Sequence, residues 1–143
     1  MAENLEGKNI LITSGPTHAD IDAVRFIGNR STGRLGSHIA LEALSKNAKV
    51  TFIKGPDSKT PHDLSPSDNE FDNLQIIDIK TVYDLIGTLR ALLENKSHYD
   101  SIIHAMAVLD YVPAKSENGK IPSGRERITL ELHKTPKVIE KIR

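Results

Sequence analysis

The 143 residues make one domain's length, and 19 basic against 19 acidic side chains leave no net charge to draw the chain to nucleic acid or an anionic membrane. Cysteine and tryptophan are absent and aromatics make up 4%, which excludes disulfides, fits a reducing compartment, requires an aliphatic core and leaves few platforms for stacking bases. The polar stretch from Met1 to Lys8 precedes a run of only five apolar or hydroxyl residues, far short of a signal sequence or membrane span, so a soluble, cytoplasmic protein is expected.

Asn9-Ile10-Leu11-Ile12-Thr13, stopped by Ser14-Gly15-Pro16, reads as a strand buried on both faces. Leu35, Ile39, Ala40, Ala43 and Leu44 recur at spacings of three and four and predict a helix from Gly33 to Lys46. Lys49 to Lys54 is the next strand. The polar stretch from Pro56 to Asn73 has no periodicity and reads as a surface excursion or a partly mobile segment. Leu74 to Ile79 is a third strand, and Thr81, with Asp84 at the capping-box spacing, starts a second helix with Val82, Leu85, Ile86, Leu89, Leu92 and Leu93 on its apolar face. Ser101 to Val108 reads as a fourth, fully buried strand. Hydrophilic residues from Asp110 to Arg127, with two prolines and two glycines, predict a mobile flap. Ile128 to Leu132 alternates as a last strand, and Pro136 suits the first turn of a closing helix.

This order predicts a single α/β domain, a Rossmann-like parallel sheet in three layers with helices on both faces. Ligands of such sheets bind beyond the carboxyl ends of the strands. That places Ser14 to Gly33 and Val108 to Lys120 on one rim.

Gly28-Asn29-Arg30-Ser31-Thr32-Gly33-Arg34-Leu35-Gly36 leads into the first helix. Glycines there let amides approach a ligand, and a helix N-terminus offers unpaired N–H donors to phosphate; the same glycines also serve a tight turn and close packing. A P-loop fails because Arg34 and Leu35 stand where Lys and Ser or Thr are needed. A dinucleotide fingerprint fails at Ser31 and at Lys54, where an acid belongs. The six histidines show no metal-binding spacing, so no protein metal site is expected.

Ile12-Thr13-Ser14-Gly15-Pro16-Thr17, Ile21 to Ile27, Asn29 to Gly36, Ala107-Val108-Leu109-Asp110-Tyr111, Gly119-Lys120-Ile121 and Leu132 to Ile139 occur in order along nearly the whole chain. Together they resemble the phosphopantothenate-cysteine ligase family, the second half of the bacterial coenzyme A biosynthesis flavoprotein. The resemblance implies a cytoplasmic ligase, dimeric in relatives. It joins 4'-phosphopantothenate to L-cysteine through an acyl-nucleotide, with CTP or ATP and Mg²⁺ and with release of pyrophosphate; flavin belongs to the family's other half.

By position, the resemblance implies that Gly15, Ser31, Gly33 and Gly36 surround the nucleotide phosphates. Asn29 contacts the phosphopantothenate and the acyl-nucleotide, Arg25 and Ala107 bind substrate, and Asp110 binds substrate or nucleotide. Lys120 swings in from the flap as a catalytic cation, Pro136, Lys137, Val138 and Ile139 meet the nucleotide, and Asp22 fixes its own loop. Three departures stand out: Lys137 where many members carry Asp, Met106 where many carry Ala, and an end at Arg143 where members continue, so the ligase site is expected to be incomplete. Two other readings are a non-catalytic nucleotide- or phosphopantothenate-binding domain and, on fold analogy, an NAD(P)-binding oxidoreductase.

Overall fold

The computed structural model describes residues 4–65, 71–95 and 98–143. Strands β1 (Asn9–Ser14), β4 (Lys49–Lys54), β5 (Leu74–Asp78) and β6 (Ser101–His104) form one parallel sheet in the order β5-β4-β1-β6. β1 is central, pairing with β4 from Asn9 opposite Lys49 to Ser14 opposite Lys54. Its apolar run without alternation follows from burial on both faces, and Leu11 and Ile12 are fully buried.

Helix α1 (Arg34–Ser45) covers one face, where Ala40 and Ala43 pack with Ile10, Ile12, Val50 and Phe52. Its buried stripe starts at Gly36 and Ser37; Leu35, expected on the apolar face, is 67% exposed. Helix α3 (Val82–Glu94) covers the other face with Val82, Leu85 and Leu89 against Leu11 and Ile53. Its start is fixed by Thr81, whose hydroxyl accepts the Asp84 amide at 3.1 Å while Asp84 accepts the Thr81 amide at 2.8 Å. The expected three layers are present.

Several features differ from the sequence reading. A short antiparallel hairpin, β2 (His18–Asp20) and β3 (Phe26–Gly28), occupies the rim after β1. The His18 ring stacks on Phe26 at 4.1 Å, and the His18 amide donates to the Lys80 carbonyl at 2.8 Å, which ties the hairpin to the sheet. Three-residue strands carry too little alternation to be read from sequence.

Within the 56–73 excursion, Pro61–Leu64 form a helical turn, α2, started by Thr60, whose amide donates to Asp63 at 2.7 Å; positions 66–70 lie outside the described residues. The fourth strand ends at His104 and is half-buried rather than fully buried, because among the described residues β6 pairs only with β1. Beyond it, Ala105 to Ala107 run beside Thr13 to Thr17, held by Ala105 N–H to Thr13 O at 3.0 Å and Ala107 N–H to Gly15 O at 2.8 Å.

Lastly, β7 (Tyr111–Pro113) lies inside the stretch expected as flap. It pairs antiparallel with β8 (Leu132–Lys134), so the final strand starts later than expected and belongs to a two-stranded arm outside the main sheet. Ile128 and Leu130, expected in that strand, are 47% and 41% exposed. The closing helix α4 is confined to Ile139–Ile142, three residues after Pro136.

Candidate functional site

The turn ahead of α1 is held by the protein itself. Gly33 sits at φ 73°, the left-handed conformation that glycine alone adopts without cost. The Ser14 hydroxyl donates to the Gly33 carbonyl at 3.0 Å, and a Cβ on Gly36 would meet Ser14 Oγ at 2.3 Å. A Cβ on Gly15 would lie 1.7 Å from Ser58 Oγ, and one on Gly33 2.9 Å from Ser58 Cβ. Close packing therefore accounts for the bare Cα positions at 15, 33 and 36, and what remains for an anion is backbone. The amides of Arg34, Leu35 and Gly36, at the start of α1, have no acceptor inside the helix. Arg30 and Arg34 are exposed beside them and form no ion pair among the described residues.

The loop after β4 builds the floor of this turn, a role the sequence reading missed. Lys59 N–H donates to Thr32 O at 2.9 Å, and the Ser37 hydroxyl donates to Lys59 O at 2.8 Å. Gly55 N–H donates to Ser14 O at 2.9 Å, and a Cβ on Gly55 would fall 1.7 Å from Pro16 O. The available signal was a Gly-Pro after both central strands, Gly15-Pro16 and Gly55-Pro56. The two pairs pack on each other.

Asn29 links the hairpin to this turn. Its Oδ1 is the one buried side-chain oxygen or nitrogen among the described residues without a hydrogen-bond partner. Buried acceptors are almost always satisfied, so this one is open to a donor from outside the described chain. Turned over, the same amide offers Nδ2 hydrogens to an acceptor in that place.

On the far side of Gly15, Thr17 N–H donates to Ala107 O at 3.1 Å and Leu109 N–H to Thr17 Oγ1 at 3.0 Å. Thr135 fastens the segment before α4 to the same loop, its hydroxyl to Leu109 O at 2.7 Å and its amide to Asp110 O at 2.8 Å. Pro136 and Lys137 thereby arrive beside Ala107 and Asp110. Lys137 Nζ donates to Asp110 Oδ1 at 2.6 Å, with both side chains about half exposed, and this bond raises the Lys137 pKa above its usual 10.5. Val138 is 3% exposed and packs into the α3 side of the core, so its backbone alone is left for a ligand, whereas Ile139 is 45% exposed. Met106 is buried in that same core. His104, at the end of β6, meets the Thr13 hydroxyl at 2.6 Å, and burial lowers its pKa.

Arg25 and Lys120 form a third group, around Asp22. The buried Asp22 carboxylate accepts the amides of Val24 at 2.9 Å, Arg25 at 2.8 Å and Ile121 at 2.9 Å, and the Arg25 guanidinium at Nη1. The Ile121 amide is the largest cause of a pKa lowered to about 2; burial opposes it, and the Val24 and Arg25 groups add to it. Arg25 thus faces Asp22 and is partly exposed. Lys120 lines a cavity of about 430 Å³ inside the flap, with Ile21, Arg125 and Glu131 also on its wall. Ser31, the remaining expected phosphate contact, is half-buried on the strap between Asn29 and Gly33.

Three groups thus gather on the rim: the turn at 15, 29 and 31–36, the loop at 107–110 with 135–138, and the Asp22 cluster with the flap. Among the described residues no set of three His, Cys, Asp or Glu could hold a metal ion, and no helix is long and apolar enough to cross a membrane.

The family model described as the DNA/pantothenate metabolism flavoprotein C-terminal domain matches residues 5–143. The coenzyme A biosynthesis bifunctional protein CoaBC of Thermococcus kodakarensis is 36% identical over 141 residues, covering 99% of this chain and 32% of that protein. The chain spans about a third of the length of the curated relatives it matches. The crystal structure of the DNA/pantothenate metabolism flavoprotein from Streptococcus pneumoniae superposes with a TM-score of 0.79 at 32% identity, covering 95% of this chain and 64% of that one. The C-terminal domain of a CoaBC protein does so with a TM-score of 0.70 at 28% identity, covering 96% and 58%.

Proposed function

The chain belongs to the family of the DNA/pantothenate metabolism flavoprotein C-terminal domain, and from that premise we propose that its rim is the site of a phosphopantothenate-cysteine ligase of coenzyme A biosynthesis. A carboxylate oxygen of 4'-phosphopantothenate attacks the α-phosphorus of CTP or ATP, and the bond to pyrophosphate breaks with its electron pair. The amine of L-cysteine then attacks the acyl carbon, the nucleoside monophosphate leaves with its oxygen, and the amine proton passes to solvent. Both steps build negative charge on oxygen, so they call for aimed donors and cations more than for a strong base.

The amides at Arg34 to Gly36 and the neighbouring Gly15, Ser31 and Gly33 backbone receive phosphate oxygens. Lys120 neutralises them from the flap. Asp110, Ala107 and the Pro136–Ile139 segment hold nucleotide, and Arg25 and Asn29 hold phosphopantothenate. Mg²⁺ enters with the triphosphate as part of the substrate. The carrying observation is the unpartnered Asn29 Oδ1, a buried polar end on the strap between the substrate and phosphate groups. Val24 and Phe26, 61% and 54% exposed on either side of Arg25, offer an apolar surface to a second copy of the chain, and sedimentation should give a dimer mass.

The test is pyrophosphate release that requires triphosphate, Mg²⁺ and 4'-phosphopantothenate together. Nucleotide binding without that release would favour a non-catalytic binding domain instead. Asn29→Ala should leave the first step running and the acyl-nucleotide accumulating, with cysteine transfer slowed about a hundredfold, the cost of one lost oxyanion donor. Trapping and mass analysis of the intermediate reads this directly. Normal product formation by the variant would remove Asn29 from the chemistry.

A further inference from the structure

The Asp22 carboxylate is shared between two pieces of chain nearly a hundred residues apart. Its Oδ1 accepts the amides of Val24 and Arg25, which closes the 22–25 turn. Its Oδ2 accepts the Arg25 guanidinium and, from the flap, the Ile121 amide. Two backbone bonds run parallel to this one, Ala23 N–H to Gly119 O at 3.4 Å and Glu117 N–H to Ile21 O at 3.0 Å. The flap from Glu117 to Ile121 is therefore clipped to the 21–25 turn, and Lys120 sits between two of the clipped residues. The other side of the flap is open: residues 114–120 are exposed. Asp22 is the single charged group in the clip that is fully out of solvent.

We propose that Asp22 is a positioning residue for Lys120: it seats the flap, and through the shared oxygen it sets the flap and Arg25 in one fixed relation. This rests on the ligase reading only where Lys120 is said to meet the nucleotide. All four groups around the carboxylate are donors, so an amide side chain cannot replace it, because its NH₂ end would face donors. A charged group accepting several N–H bonds in a buried place is also the arrangement that a merely solvated loop aspartate lacks.

Asp22→Asn is compared with the unaltered chain by amide hydrogen exchange. The Ile121 and Glu117 amides should exchange at least tenfold faster, while those of Leu11 and Ile12 in β1 keep their rates. Where Asp22→Asn does not fold, Ile121→Pro removes the flap's donor and leaves Asp22 in place, and the Glu117 amide is followed instead. Unchanged protection in the folded variant overturns the proposal. The second readout is CTP affinity with Mg²⁺ in a cycle with Lys120→Ala. Losses from D22N and K120A that overlap support the seating, and losses that multiply overturn it. If K120A binds CTP as the unaltered chain does, the nucleotide role of Lys120 fails, and the exchange rates alone decide the seating.

Discussion

The two sides of the rim are built on opposite plans. Around Gly15, Gly33 and Gly36 the space where side chains would stand is filled by Ser14 and Ser58, and hydrogen bonds from Ser14, Ser37 and Lys59 fix the backbone. Around Asp110 and Lys137 the backbone is also pinned, through Thr17 and Thr135, but the charged side chains stand half in solvent and, among the described residues, bond to each other. On the first side the backbone is fixed by packing, and on the second the charges are left exposed, at little cost to the fold.

The sharpest break of that contrast is Gly15→Ala. The new Cβ would stand 1.7 Å from Ser58 Oγ at a backbone φ of 84°, so overpacking and left-handed strain add. A loss of about 3 kcal/mol is expected, which for a domain of this size lowers Tm by about 10 °C. Thermal unfolding followed by circular dichroism reads it. Adding Ser58→Gly should recover the steric part and leave the strain. A Gly15→Ala chain as stable as its parent would mean that the packing at this turn is loose.

The same contrast governs what could be read from the residues alone. The sheet and its two main helices were legible because burial writes period and composition: β4 was bounded at Lys49 and Lys54 as observed, and α3 at its Thr81 cap. The hairpin at 18–28 and the arm at 111–134 were not, because each strand has three residues and pairs in place through register rather than pattern. Within the site, Asn29 and Asp110 were singled out by the resemblance, and the structure places them on the same rim. The role of Ser58 was invisible, since a serine in a polar loop shows its importance only when the glycine it fills is known. That Asp22 reaches the flap was equally hidden, because its partner at Ile121 is a backbone amide and carries no side-chain signal.

Acid and base should separate two charged tethers of the rim, in smaller effects. Asp22 titrates at about 2 in the folded chain against an ordinary 3.8. Its contribution to stability is therefore complete above 3.8 and is lost as pH falls through about 2. Lys137 shifts the other way, raised above 10.5 by Asp110. That contribution is complete below 10.5 and is lost as pH rises through the higher folded value. Urea unfolding of the parent and of Asp22→Asn between pH 5 and 2 should give curves that converge toward the acid end. Curves that stay parallel would mean that Asp22 carries no charge-dependent bond.

Lys137→Ala is expected to change least in stability and to say most about the exposed side. Lys137 and Asp110 are joined by one 2.6 Å bond in which each side chain keeps about half its solvent contact, so water replaces the partner readily. Tm should move by no more than about 2 °C. The effect on an anionic ligand is a different matter, because removing the cation leaves Asp110 uncompensated beside the Pro136–Ile139 segment. Triphosphate affinity, measured by calorimetry, should then fall about fivefold at low salt, roughly one exposed ion pair, and the gap should narrow as salt screens both charges. Unchanged affinity in the variant would place the nucleotide away from Asp110, and the exposed side of the rim would then have no part in holding the triphosphate.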